Sequence, residues 1–278
     1  MNIYNSRHVV FGGVLVLIAS KVYSVGLGVG FLAITVPMAW LLVLLLVTKV
    51  IPPSFKFAFV VIKTEGGQVD LSTVALCVSM AMLLAPLFVY LAESLNNAFG
   101  SLAGGDVLTY FILRAGVVEE LLKFTAVFLV VRYLAPGAIK HPLDGMVLAC
   151  SAALGFAAYE NFFHNLYFAE AGDGVVAKAF LLGTFIRVPL HALYGEIWGA
   201  AFGISRFLPA PQRYIYLLFG LAVSIFLHGF WDYLAQFKTW LVFFVMLLMY
   251  AALWHGCLKL WHRVTALDLD FGGEENHE

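Results

Sequence analysis

The chain reads as an all-α protein, a polytopic transmembrane helical bundle of about eight spans, and three observations carry that reading. Of its 278 residues, 62% are hydrophobic and 12% are charged, and its mean hydropathy of +0.92 means more apolar surface than one soluble core can hide. Apolar stretches recur at the length needed to cross ~30 Å of hydrocarbon at ~1.5 Å per residue. The polar connections between them are short, the longest being roughly residues 51–71, so the whole of 1–278 is expected to form a single integral membrane domain.

Taken in order, the expected spans run over about 8–24, 29–50, 72–93, 107–133, 143–169, 177–207, 214–235 and 239–262. The first is the weakest, because Arg7, a short apolar run and Ala19-Ser20 also suit a signal sequence. The tail 264–278 is short and acidic, and is expected to be disordered. Gly195, Gly199 and Gly203 recur every fourth residue and place a smooth stripe along the sixth span. Gly26, Gly28 and Gly30 lie in an apolar run with no preceding strand, which points to packing or a membrane-entry turn rather than a nucleotide loop. Pro37, Pro86 and Pro189 are expected to kink their helices.

Orientation follows from the basic residues. Arg7, Lys49, Lys56, Lys63, Arg132, Lys140, Arg206, Arg213, Lys259 and Arg263 fall on one side, against Lys21, Lys178 and Lys238 on the other. Both termini are therefore expected in the cytoplasm of a cell-membrane protein whose surroundings are the lipid bilayer. A net charge of −1 with no Lys/Arg block excludes nucleic acid as a partner. Cys77, Cys150 and Cys257 sit in apolar runs without CxxC spacing and read as small buried hydrophobes.

The functional signal lies in the charges that the spans cannot avoid. Arg114, Glu119, Glu120, Lys123, Glu160, Arg187, Glu196 and Asp232 all fall within them. At ~2.5–3.5 kcal/mol each they would oppose insertion by roughly 20–28 kcal/mol before pairing, a cost that leucines would remove. Glu119 and Glu120 lie ~18–20 Å into the fourth span, and His191 sits at a similar depth in the sixth. Glu160, His228 and Asp232 reach the same level from the opposite face. Residues four apart share a helix face, which pairs Glu119 with Lys123, Phe156 with Glu160, Arg187 with His191 and His228 with Asp232. Glu120 is rotated away from Glu119 and is expected to play a different role. Glu196 departs from these faces and reads as structural or pore-facing; Tyr159, Tyr167, Trp198, Trp231 and Tyr233 read as packing or headgroup-belt residues, and His164, His255 and His262 as interfacial.

In chain order the polar segments are Glu119-Glu120-x-x-Lys123, His141-Pro-Leu-Asp144-Gly145, Gly155-Phe156-x-x-x-Glu160-Asn161, Arg187-x-x-x-His191 and Leu227-His228-Gly-x-Trp-Asp232. This series, over roughly residues 110–235, resembles the PrsW family of intramembrane proteases, relatives of the CAAX prenyl endopeptidases and bacteriocin-processing enzymes. Glu160 stands where many of the wider relatives carry His, as expected for the PrsW branch. The resemblance implies cleavage of a membrane-anchored protein substrate, such as an anti-sigma factor, by a core over about 107–235.

Peptide hydrolysis in a bilayer needs an activated water, an oxyanion donor and a proton for the leaving amine. The expected catalytic set is Glu119, Glu120, Glu160, His191, His228 and Asp232, with Lys123, Asn161 and Arg187 in support. Glu119 is the expected general base, and His228 is expected to be held by Asp232. Two versions stay open: a glutamic-type site that needs no cofactor, and a one-zinc site on His191, His228 and Glu119. The rivals from other classes are a proton- or cation-coupled transporter and an inactive scaffold of the same fold.

Overall fold

The structure is a computed structural model. It describes residues 69–169 and 183–237, with isolated positions at Phe244, Leu248 and Ala251. The expected spans at 8–24, 29–50 and 239–262 and the tail lie outside the described residues, as do Pro37, Lys178, Cys257, His255 and His262.

Every described element is helical. Helix α1 (Leu71–Ser94) starts where the Asp70 carboxylate accepts from the Ser72 amide, as an N-cap should. The short α2 (Asn96–Ala103) ends at Gly104 in the left-handed conformation, φ 58°, which glycine adopts without strain. Asp106 then caps α3 (Val107–Phe111) through the Thr109 amide. The chain runs on through a π-helical turn, Ile112–Val117, into α4 (Val118–Leu129), and through a second π turn, Val130–Leu134. Helix α5 (Pro142–Ala169) is entered by a turn in which Asp144 Oδ2 accepts from the amides of Lys140 and His141, each at 2.8 Å. A third π turn, Gly183–Arg187, leads into α6 (Val188–Ser205), and α7 (Ala210–Phe237) completes the described core.

The described helices agree in position with the third, fourth, fifth and seventh expected spans and with the described part of the sixth. Three of them, over Ser72–Ser94, Pro142–His164 and Ala210–Gln236, are long and apolar enough to cross a membrane. The Val107–Leu134 rod is of comparable length but is broken by π turns and carries five charges. Pro189 is the second residue of α6, directly after the π turn in a continuous helical run, a combination at which helices commonly bend.

Helix α5 is the centre of the bundle, with 83% of its apolar window buried against 41% and 33% for α1 and α7. It packs between α1 and α6; α7 lies on the far side of α6, and the 107–134 rod fits between α7 and α1. Leu76, Ala81, Val127, Ala152, Phe156 and Trp198 belong to one continuous core drawn from four helices. Cys77 and Cys150 are buried free thiols, as read from the sequence.

The glycine stripe of α6 faces α5 at backbone distance. A Cβ at Gly199 would lie 2.5 Å from Ala149 Cβ and 2.7 Å from the Gly145 carbonyl, and one at Gly203 would collide with the Pro142 carbonyl. The Asp144-Gly145 pair thus ends the entry turn and admits α6 in two consecutive residues. The rod and α7 meet the same way, since a Cβ at Gly116 would strike the Ile225 carbonyl and one at Gly229 the Ile112 backbone. Gly199→Val should lower stability in detergent by about 1–3 kcal/mol by overpacking, read as a fall in the thermal unfolding midpoint. Gly100→Ala, at a site with nothing within 4 Å of the new Cβ, should leave that midpoint unchanged or slightly raised; equal loss in both would refute the close-approach account.

Candidate active site

The π turn at Ile112–Val117 ends immediately before the two glutamates. One wide turn rotates everything after it by about 100° relative to a continuous α-helix, and here that rotation carries Glu119, Glu120 and Lys123 into the bundle, where all three are buried.

Lys123 organises the cluster. Its ammonium donates to Glu120 Oε1 at 2.7 Å, to Glu119 Oε2 at 3.3 Å and to His191 Nδ1 at 2.7 Å, which uses all three of its hydrogens. It also lies 4.7 Å from the centre of the Phe156 ring, a further favourable contact for a desolvated cation. The pair at i,i+3 is therefore tighter than the expected pair at i,i+4.

Those donors fix both imidazoles. His191 accepts from Lys123 at Nδ1, so its proton is on Nε2, which lies 2.7 Å from Glu160 Oε2. His228 Nδ1 lies 2.7 Å from Glu120 Oε1; a carboxylate only accepts, so Nδ1 carries a proton, while Nε2 faces Glu119 Oε2 at 3.6 Å. The Tyr194 ring stacks on His228, centroids 4.8 Å apart and 19° from parallel. Glu120 is the histidine's partner where the face rule had suggested Asp232. Asp232 is half-buried one turn further along α7 and makes no hydrogen bond or ion pair with His228.

The two carboxylates differ as expected. Glu120 is enclosed: Oε1 receives Lys123 and His228, and Oε2 receives the Trp198 indole at 2.9 Å and the Ser224 hydroxyl at 3.3 Å. Glu119 receives Lys123 alone and otherwise looks across open distances of 3.6 and 3.8 Å at His228 and His191. At the other edge Glu160 lies 3.2 Å from His164 Nε2 and 3.8 Å from Arg187 Nε, while Arg187 donates to Asn161 Oδ1 at 3.1 Å. Gly183 admits that arrangement, because a Cβ there would crowd the Asn161 amide at 2.7 Å.

Glu119, His191 and His228 each offer one donor atom, all within 4.8 Å of one another. One carboxylate oxygen and two imidazole nitrogens form a three-ligand set suited to zinc. Support comes from outside the set, since the Glu120 carboxylate orients His228 through its other nitrogen, as carboxylates commonly do for metal-binding histidines. On His191, the nitrogen that faces Glu119 is the one that accepts from Lys123, so a cation and the ammonium would share that donor.

The structure therefore brings together Glu119, Glu120, Lys123, Glu160, Asn161, Arg187, His191 and His228, leaves Asp232 at the margin, and leaves Glu196 half-buried with no hydrogen bond among the described residues. Sequence reasoning missed Trp198 and Ser224. Trp198 is fully buried and bonded to Glu120, so it is no headgroup-belt residue. The available signal was spacing: Trp198 lies two turns after His191, and Ser224 one turn before His228.

Residues 70–256 match the model of the PrsW family intramembrane metalloproteases. The chain is similar to the protease PrsW of Geobacillus kaustophilus, 32% identical over 148 residues that make up 53% of this chain and 61% of that one. It is 30% identical to protease PrsW of Shouchella clausii over 65% of this chain and 77% of the relative. With the Bacillus subtilis protease PrsW it shares 32% identity over 57% of this chain and 68% of the relative. No solved structure matches. A family match across two thirds of the sequence, falling on the helices that carry the buried cluster, makes the chain a member of the PrsW family of intramembrane proteases.

Proposed function

We propose that the chain hydrolyses a peptide bond of a membrane-anchored protein substrate with water activated at Glu119. The observation that carries this reading is the convergence of the Glu119 carboxylate with one nitrogen each of His191 and His228 inside the bundle.

The roles follow from acceptor capacity. Glu120 has both oxygens filled and serves as the anchor. Glu119 has room to take a proton from a water lying between it and the two imidazoles. Lys123 donates to both carboxylates, and its charge stabilises negative charge developing at the scissile carbonyl. His191, tied to Glu160, is placed to pass a proton toward the leaving amine. Glu119, His191 and His228 are also the residues that would hold a Zn²⁺, which supplies Lewis-acid polarisation and a more acidic water when bound.

The proposal extends to topology: a polytopic chain of about eight spans in the cell membrane, both termini in the cytoplasm. The charge bias of the connections supports it.

With purified protein in liposomes and a panel of single-span substrates, Glu119→Gln should cut the cleavage rate ~100-fold or more while leaving the unfolding midpoint in place. His228→Ala should do the same, and persistent cleavage in both variants would reject the assignment. Cleavage that ignores chelator would support Glu119 acting on water without a cation; loss of activity with chelator, restored by Zn²⁺, would assign the site to the metal version. Fused after Glu278, a reporter that matures only in the cytoplasm should be bright, and a dark fusion at normal expression would overturn the orientation.

A further inference from the structure

We infer that Trp198 and Ser224 are positioning residues of the hydrolytic site, acting through Glu120 to hold the aim of His228, with the Trp198 indole N–H as the dominant donor. The inference rests on the site roles proposed above and deepens them, because it identifies what holds the anchor carboxylate still.

The geometry divides the work between the two donors. Glu120 Oε2 faces away from Lys123 and receives only the Trp198 and Ser224 side chains. Ser224 has a single hydroxyl hydrogen and two acceptors in reach, the Tyr194 carbonyl at 2.9 Å and Glu120 at 3.3 Å; the nearer carbonyl takes most of it. The Trp198 N–H has one acceptor, Glu120 Oε2, at 2.9 Å. Its ring cannot swing away, since it is fully buried and packed edge-on against Phe124 with centroids 5.6 Å apart. A rigid aromatic frame on α6 therefore pins one oxygen of a carboxylate on α4.

The other oxygen of the same group sets the histidine. With Oε2 pinned, Oε1 stays 2.7 Å from His228 Nδ1 and holds the ring so that Nε2 faces Glu119. Without the indole, the carboxylate is free to rotate about its last bond toward Lys123, and His228 loses the contact that aims its ring. Outer hydrogen bonds of this kind are commonly worth ~10- to 100-fold in activity or metal affinity.

The test is a cleavage assay on the full chain in liposomes with Trp198→Phe, Glu120→Gln and the double variant. The expected result is a fall in kcat of ~10-fold or more for Trp198→Phe with KM unchanged, and no further fall when it is added to Glu120→Gln. Ser224→Ala should cost less than Trp198→Phe. Should Trp198→Phe fail to fold, a benzothienyl analogue placed at 198 keeps the ring shape and removes only the N–H. Unchanged kcat, or losses that multiply in the double variant, would overturn the inference. A fully active Glu120→Gln would instead overturn the reading on which it rests.

Discussion

A fully buried ammonium is the constraint on which the rest of this fold depends. Left alone among apolar helices, the Lys123 charge would cost several kcal/mol, and three hydrogens need three acceptors. Glu120 and Glu119 come from its own helix, but the third acceptor is His191 on α6. His191 accepts from Lys123 at Nδ1, so its proton is on Nε2, which lies 2.7 Å from Glu160 Oε2 on α5. Glu120, drawn in by the same ammonium, reaches Trp198 on α6 and His228 on α7. One cation thereby sets the relative placement of four helices to within hydrogen-bond tolerance.

Such tolerance is only attainable if the backbones approach closely enough for short polar bonds to form. Apolar spans have no hydrophobic drive to associate within lipid, so small residues and interhelical hydrogen bonds must supply the contact. The glycines of α6 lie against Gly145 and Ala149 of α5, and Gly116 and Gly229 bring the rod against α7. Both tight seams flank the polar cluster. The π turns before Glu119 and before α6 serve the same end by rotation, turning charged faces inward without an insertion elsewhere.

Much of the cluster was legible because burial of charge in a predicted span is expensive whatever the fold. Glu119, Glu160, His191 and His228 could be read from depth and helical facing alone. The same rule failed at Asp232, and the failure is informative: spacing of four says that two residues share a face, not that they bond to each other. His228 has a stronger acceptor on another helix, in Glu120, and which partner helix lies opposite is a tertiary fact. Trp198 and Ser224 were hidden for a related reason. An indole in an apolar run is indistinguishable from packing until its single N–H is followed to an acceptor, and a serine among alanines and valines carries no charge to betray it.

Exposure decides how such a network can react rather than merely hold. Side-chain exposure is 0% at Lys123 and Glu120, 4% at Glu119 and His228 and 3% at His191, then 16% at Glu160, 26% at Arg187 and 42% at His164. The hydrogen-bonded chain thus runs from a sealed end to a wetter rim. A carboxylate with every acceptor site filled in a dry pocket is held too firmly to exchange protons, which suits Glu120 to orienting its neighbours. Glu119 lies between the two regimes, close enough to the anchor to be aimed and sparsely enough bonded to accept a proton. Adjacent residues in the sequence acquire different surroundings because the helix turns one toward the indole and hydroxyl of its neighbours and the other toward the space between the two histidines.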